Sequence, residues 1–332
     1  MTGQLIAAAI IFLTAGNLLT SLIDDEAAQR SLDLPLLNNH TLLIPPPSSS
    51  DLSYGLEMAF LFPEEANTRN ETMKIKFLKD LAKALEAGGV PVTSLESRNT
   101  NGASPNQWKL VPERSGFEAV SPITPPFRHI KCLLEIIKDH KCHVDPKLTM
   151  MHINIDARGR SLEETGNVYK NALSVEQALD IFHINDPAGE AGKAMKLRAE
   201  FSTTREAYET LNMSRSFESL ISLGLSSRGR RGPKAWWKRR DRVGLRLSRK
   251  GAPKSFEFRG CQSTFDSDLA IAWLNLGRSI VDASYAGTVL EPKERSREES
   301  WVSLFNEIVQ DKELEGIFVR ERQALLLSTS SN

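Results

Sequence analysis

An α+β fold built on a largely antiparallel sheet, with helices packed on one face, is what the sequence predicts, and three observations predict it. Short segments of period-two or aromatic-flanked pattern recur along the chain, as half-buried strands require. Between them lie stretches whose apolar residues recur at helical spacing. Neither GxGxxG nor GxxxxGK[ST] occurs, so the glycine loops of parallel dinucleotide- and phosphate-binding sheets are missing. An open antiparallel sheet with one covered face accounts for all three.

The first strand falls in Ser53–Phe62, aromatic at its end and stopped by Pro63. Glu71 to Gly88 places Ile75, Leu78, Leu81 and Leu85 on one helical face and stops at Gly88-Gly89. Trp108–Val111 and Gly116–Val120 are two short strands, the second ended by Pro122. His129–His140 is again helical through Ile130, Leu133, Leu134 and Ile137. Met150–Asp156 alternates strictly, so His152, Asn154 and Asp156 share one side. Residues 161–223 are mostly helical, Ser255–Arg259 is a strand, and Asp266–Ala283 is a long helix with Leu269, Ala272, Trp273, Leu276 and Ile280 on one face.

Three segments stand apart from this alternation. Met1 to Ile23 carries no charged side chain, and it reads as a signal peptide without a basic start, a membrane anchor, or a helix belonging to the fold. Residues 24–50 are a linker ending in Pro45-Pro46-Pro47-Ser48-Ser49-Ser50, so the domain begins at about residue 51. Residues 226–254 hold twelve Lys or Arg against the single acid Asp241, with Trp236-Trp237 between them. A solvated insertion is the first reading of that basic stretch; nucleotide stacking or contact with a membrane surface is the other.

Over all 332 residues, 42 basic side chains balance 42 acidic ones, so no whole-chain field draws the protein to nucleic acid, and no nucleic-acid-binding module is recognisable. The composition, 40% hydrophobic and 25% charged, excludes wholesale disorder and a polytopic membrane protein. Cys132, Cys142 and Cys261 form neither a disulfide framework nor a CxxC motif. The grouping of Cys132, Cys142, His140 and His143 matches no zinc spacing and is expected to be structural.

Four strand-borne polar sets carry the candidate chemistry: Glu57, Glu118, His152 with Asn154, and Glu257 with Arg259. Residues two apart on a strand point the same way, so Glu257 and Arg259 share a face. Carboxylates from neighbouring strands facing one cleft suit Mg²⁺, and an adjacent arginine offers a fork for phosphate oxygens.

The order and wording of these sets resemble the amidoligase family, whose members are similar in fold to glutamine synthetase. The resemblance spans about residues 54–283. Gly55-Leu56-Glu57-Met58-Ala59-Phe60 keeps the frame of its first strand; Trp108 to Ser115 and Glu118-Ala119-Val120-Ser121-Pro122 resemble its second and third motifs. His152-Ile153-Asn154 resembles its His-x-His strand, and Glu257-Phe258-Arg259 with Thr264-Phe265-Asp266 and Trp273 its late motif.

The resemblance implies ATP-dependent joining of a carboxylate to an amine through an acyl phosphate, and hence a cytoplasmic setting. It implies Glu57, Glu118 and Glu257 as Mg²⁺ ligands, Arg259 on the transferred phosphoryl group, and His152 and Asn154 toward nucleotide or metal. Small-molecule or peptide acids and amines would be the partners. Thr264 and Asp266 are expected to start a helix, and Trp108 and Trp273 to be core. Glu113 stands where the family pattern has Asp, and two further departures bear on ligands: Ala59 stands where a second Glu is usual, and Asn154 where a second His is. Each removes a ligand, which keeps open the alternative of a catalytically lapsed, nucleotide- or peptide-binding module.

Overall fold

A computed structural model describes residues 52–66, 70–95, 106–113, 115–145, 148–179, 203–223, 243–248 and 251–330. The apolar N-terminal segment, the linker and the Trp236-Trp237 region lie outside the described residues. Seven strands form one sheet: β1 (Tyr54–Leu61), β2 (Val92–Ser94), β3 (Trp108–Pro112), β4 (Gly116–Val120), β5 (Met150–Asp156), β6 (Val243–Leu247) and β7 (Pro253–Gln262). Their spatial order is β2-β3-β4-β1-β5-β7-β6. Every neighbouring pair is antiparallel except β2 with β3.

The strands carry their alternation into burial. On β1, Tyr54, Leu56, Met58 and Phe60 are buried, while Gly55, Glu57, Ala59 and Leu61 are half-buried on the other side. The same division runs through β5, where Met151, Ile153 and Ile155 are buried and His152, Asn154 and Asp156 are half-buried. The buried side is covered by helices α1 (Glu71–Ala87), α2 (Phe127–Asp139), α3 (Leu162–Ser174) and α7 (Ser267–Tyr285). Between α3 and α7 come α4 (Glu176–Leu179), α5 (Thr204–Asn212) and α6 (Phe217–Leu223), and after α7 come α8 (Arg297–Ser303) and α9 (Lys312–Ser330). The helices pack on the one face because only that face is apolar.

Aromatic contacts fasten the layers. Phe77 of α1 meets Phe117 of β4 and Phe62, and Phe60 of β1 stacks on Phe265 at 5.7 Å just before α7. Tyr169 of α3 packs edge-on against Phe256 of β7, and its hydroxyl accepts the Leu245 N–H of β6 at 2.8 Å. Helix starts follow local chemistry. The Asn70 side chain accepts from the Thr72 N–H, Ser161 and Glu164 form a reciprocal capping box, and Asp266 accepts from the Asp268 and Leu269 N–H groups. Trp108 and Trp273 are core, as their patterns predict.

Two elements differ from the sequence-based expectation. The three-residue β2 is too short and too polar to announce itself; it pairs in parallel beside Trp108. The end of the basic stretch is not a solvated insertion, because Val243–Leu247 forms edge strand β6 and β7 already starts at Pro253. Among the described residues no helix is long and apolar enough to cross a membrane.

The approach of β4 to β1 depends on Gly116, where a Cβ would stand 1.9 Å from the Phe60 carbonyl oxygen. Gly116→Ala is therefore expected to lower the urea midpoint with an unchanged m-value, by about 2–3 kcal/mol. An unaltered midpoint would contradict this register.

Candidate cation and phosphate site

The open face of the sheet is where the polar sets meet. Antiparallel pairing sets Glu57 of β1 opposite His152 of β5, Gly55 opposite Asn154, and Asn154 opposite Glu257 of β7. Between β5 and β7 the ladder slips by one residue between Met151 and Ile153, so residues 259 and 260 together face His152. That bulge lets Phe258 and Cys261, three apart, both turn into the core while Arg259 stays on the open side.

Glu57, His152 and Glu257 have ligand atoms within 4.8 Å of one another, and they are the one such group among the described residues. The His152 Nδ1 lies 3.5 Å from Glu57 Oε2 and 3.8 Å from Glu257 Oε1. Asn154 donates its Nδ2–H to Glu57 Oε1 at 3.2 Å. Arg259 donates from Nε to Glu257 Oε2 at 2.6 Å. Sequence reasoning missed Arg246. Its Nη2 is in contact with Glu257 Oε1, and its Nη1 lies 3.8 Å from Glu57 Oε1. The signal was the alternation of Val243-Gly244-Leu245-Arg246-Leu247, hidden in a run of basic residues.

Glu118 lies on the same open side, paired with Ala59 one register step beyond Glu57, and it stands outside the group of three. Its charge still reaches the site. Burial lowers the pKa of the Arg246 guanidinium, but the carboxylates of Glu257, Glu57 and Glu118 outweigh that and raise it. At Glu57 burial pushes the carboxyl upward; the hydrogen bond to His152 and the charges of Arg246, His152 and Arg259 overcome that and hold it below its ordinary value.

A cavity of about 320 Å³ opens beside the group, lined by Gly55, Glu57, Asn154, Arg158, Arg246 and Lys254 on the sheet side. Its apolar wall is the end of β4 and the segment after it, with Val120, Pro122 and Ile123. That wall is pinned: Thr124 has a left-handed backbone at φ 52°, held by its N–H donating to the Tyr54 carbonyl at 2.7 Å, and Tyr54 Oη donates to the Pro125 carbonyl at 2.9 Å. A β-branched residue in that region is strained, and such strain persists only where surrounding contacts enforce it.

Two carboxylates and one imidazole converging from three strands can hold a divalent cation on one side and leave its remaining positions open. The donor set suits Mg²⁺ or Mn²⁺, and two guanidiniums beside it suit phosphate oxygens. Cys132 instead donates to the Gly88 carbonyl, Cys142 is buried, and neither joins a metal-ligating group among the described residues. No protein-family profile matches the chain, and no curated protein matches it.

Because the folded protein lowers the Glu57 pKa, its ionised form contributes stability that is complete above the unfolded value near 4.3 and is lost as pH falls through the folded value. Glu57→Gln is expected to cost about 1–2 kcal/mol at pH 7. In chemical denaturation the gap to the wild type should close as pH drops below the ordinary carboxylate range; a gap independent of pH would contradict the charge pairing.

Proposed function

We propose that this chain is an ATP- and Mg²⁺-dependent carboxylate–amine ligase of the amidoligase type, on a glutamine synthetase-like sheet. The observation that carries the reading is the convergence of Glu57, His152, Glu257, Arg246 and Arg259 on the open face. Residues far apart in sequence meet there with the chemistry that phosphoryl transfer to a carboxylate requires. Glu57, His152 and Glu257 would hold Mg²⁺, which when bound supplies positive charge to phosphate oxygens, and Glu118 adds negative charge one step away.

The residues divide the remaining work. Arg259 and Arg246 orient the terminal phosphoryl group and neutralise charge that grows on it as a substrate carboxylate oxygen bonds to phosphorus and ADP departs. An amine nitrogen then bonds to the acyl carbon, inorganic phosphate leaves, and the amine loses a proton. The pinned wall of Val120, Pro122 and Ile123 bounds one side of the cavity with apolar surface. Small acids and amines, or peptide termini, are the proposed partners, and the need for ATP points to the cytoplasm.

A second reading has its own support. Ala59 leaves the position opposite Glu118 without a ligand, and Asn154 presents its amide N–H to Glu57, so the geometry of the described residues accounts for one cation. A lapsed member would bind nucleotide or peptide there and release no phosphate.

The two separate in one assay of the full chain with ATP, Mg²⁺ and a panel of amino acids and peptides. The ligase reading expects phosphate release that depends on an added carboxylate. Arg259→Lys, which replaces a planar fork by a point charge, should slow release about a hundredfold, equivalent to about 3 kcal/mol, with little change in Tm. ATP binding without release on any acid selects the lapsed module. A lowered Tm with unchanged release removes Arg259 from the site.

A further inference from the structure

Two carboxylates and two guanidiniums interlock in this cluster. Both oxygens of Glu257 are occupied, one by Arg246 and the other by Arg259, and its side chain is only 3% exposed. A divalent cation arriving alone must push these guanidiniums away and leave positive charges crowded in a half-buried site. A phosphate arriving alone must compete with carboxylates that already hold the same guanidiniums. Arriving together, the two ligands permit an exchange: the carboxylates trade guanidinium for metal, and the guanidiniums trade carboxylate for phosphate oxygen. Every charge then keeps a partner.

Space for that exchange lies on one side. Arg246, the more exposed of the two arginines at 40%, lines the 320 Å³ cavity together with Glu57. Two other cations, Arg158 and Lys254, line it as well. Arg158 is fixed by Asp156, with Nε to Oδ1 at 2.8 Å and Nη2 to Oδ2 at 2.7 Å. The Lys254 side chain has no hydrogen bond or ion pair among the described residues. A free ammonium, a fixed guanidinium and a movable one facing one cavity next to the carboxylates suit a phosphate chain.

We infer that Arg246 is a latch: the cavity takes the phosphate chain of an anionic ligand, Glu57, His152 and Glu257 take a divalent cation, and each ligand binds far more tightly in the presence of the other. The coupling rests on the proposed cation role of those three residues and on no step of ligase chemistry. By linkage it is reciprocal.

The full chain can be tested with Mn²⁺, followed by its electron paramagnetic resonance, and with radiolabelled pyrophosphate in equilibrium dialysis against a protein-free compartment. Pyrophosphate should bind at least about tenfold more tightly with Mn²⁺ than without, about 1.4 kcal/mol of coupling after correction for the complex formed in solution. Arg246→Gln should act in opposite directions on the two ligands. Mn²⁺ alone should bind more tightly because Glu257 is partly released, while the coupling falls to less than about threefold. Lys254→Gln, at an exposed position, should weaken pyrophosphate and leave Mn²⁺ alone unchanged. Coupling near unity in the wild type would overturn the latch, as would parallel weakening of both ligands in Arg246→Gln. If that variant does not fold, unchanged pyrophosphate affinity in Lys254→Gln overturns the cavity assignment. Coupling without carboxylate-dependent phosphate release removes the ligase and leaves the latch; release without coupling removes the latch alone.

Discussion

A carboxylate with 3% of its side chain exposed needs charged partners within reach, and Glu257 is that carboxylate. Burying an unpaired charge costs several kcal/mol, so the strands around Glu257 are placed under an electrostatic as well as an apolar constraint. Arg246 from the edge strand and Arg259 from the same strand meet its two oxygens, and His152 faces it from β5. The bulge opposite His152 is part of the same solution. It keeps Arg259 on the open side while returning Cys261 to the core. The Tyr169 hydroxyl serves it too, by holding the edge strand at Leu245, next to Arg246.

Such an arrangement is costly for stability, since apolar residues of similar volume often stabilise as well as a buried ion pair does. On the half-open face, the proposed exchange of partners would give this cluster a use that the folding of the sheet does not require. The opposite face shows what folding requires: Met58, Phe60, Phe117, Ile153 and Phe256 form a continuous apolar surface under helices that carry matching faces. One sheet therefore divides its two sides between an apolar packing face and a face that carries the charged cluster, and strict alternation along β1 and β5 is what keeps the division clean.

That division is why much of the fold was legible in the sequence. Strict alternation located β5, aromatic-flanked or Pro-ended segments located β1 and β4, helical spacing located α1, α2 and α7, and Asp266 marked the start of α7. Glu57, His152, Asn154, Glu257 and Arg259 could be named because each sits on the polar phase of a strand. Their convergence was expected only through the family resemblance, because it depends on pairing between residues about 100 apart, and on the bulge at His152, neither of which leaves a local trace. Arg246 was obscured for a different reason. A run of basic residues has the composition of a solvated segment, and only the neighbouring sheet edge turns its last residues into a strand.

One cation and two guanidiniums are proposed to share this face. X-ray anomalous scattering from crystals of the chain grown with Mn²⁺ and pyrophosphate tests it directly. The expected result is an anomalous peak among Glu57, His152 and Glu257, with at least one of Arg246 and Arg259 moved from Glu257 onto phosphate oxygens. A map with no peak among those three residues, and both arginines still on Glu257, would contradict it.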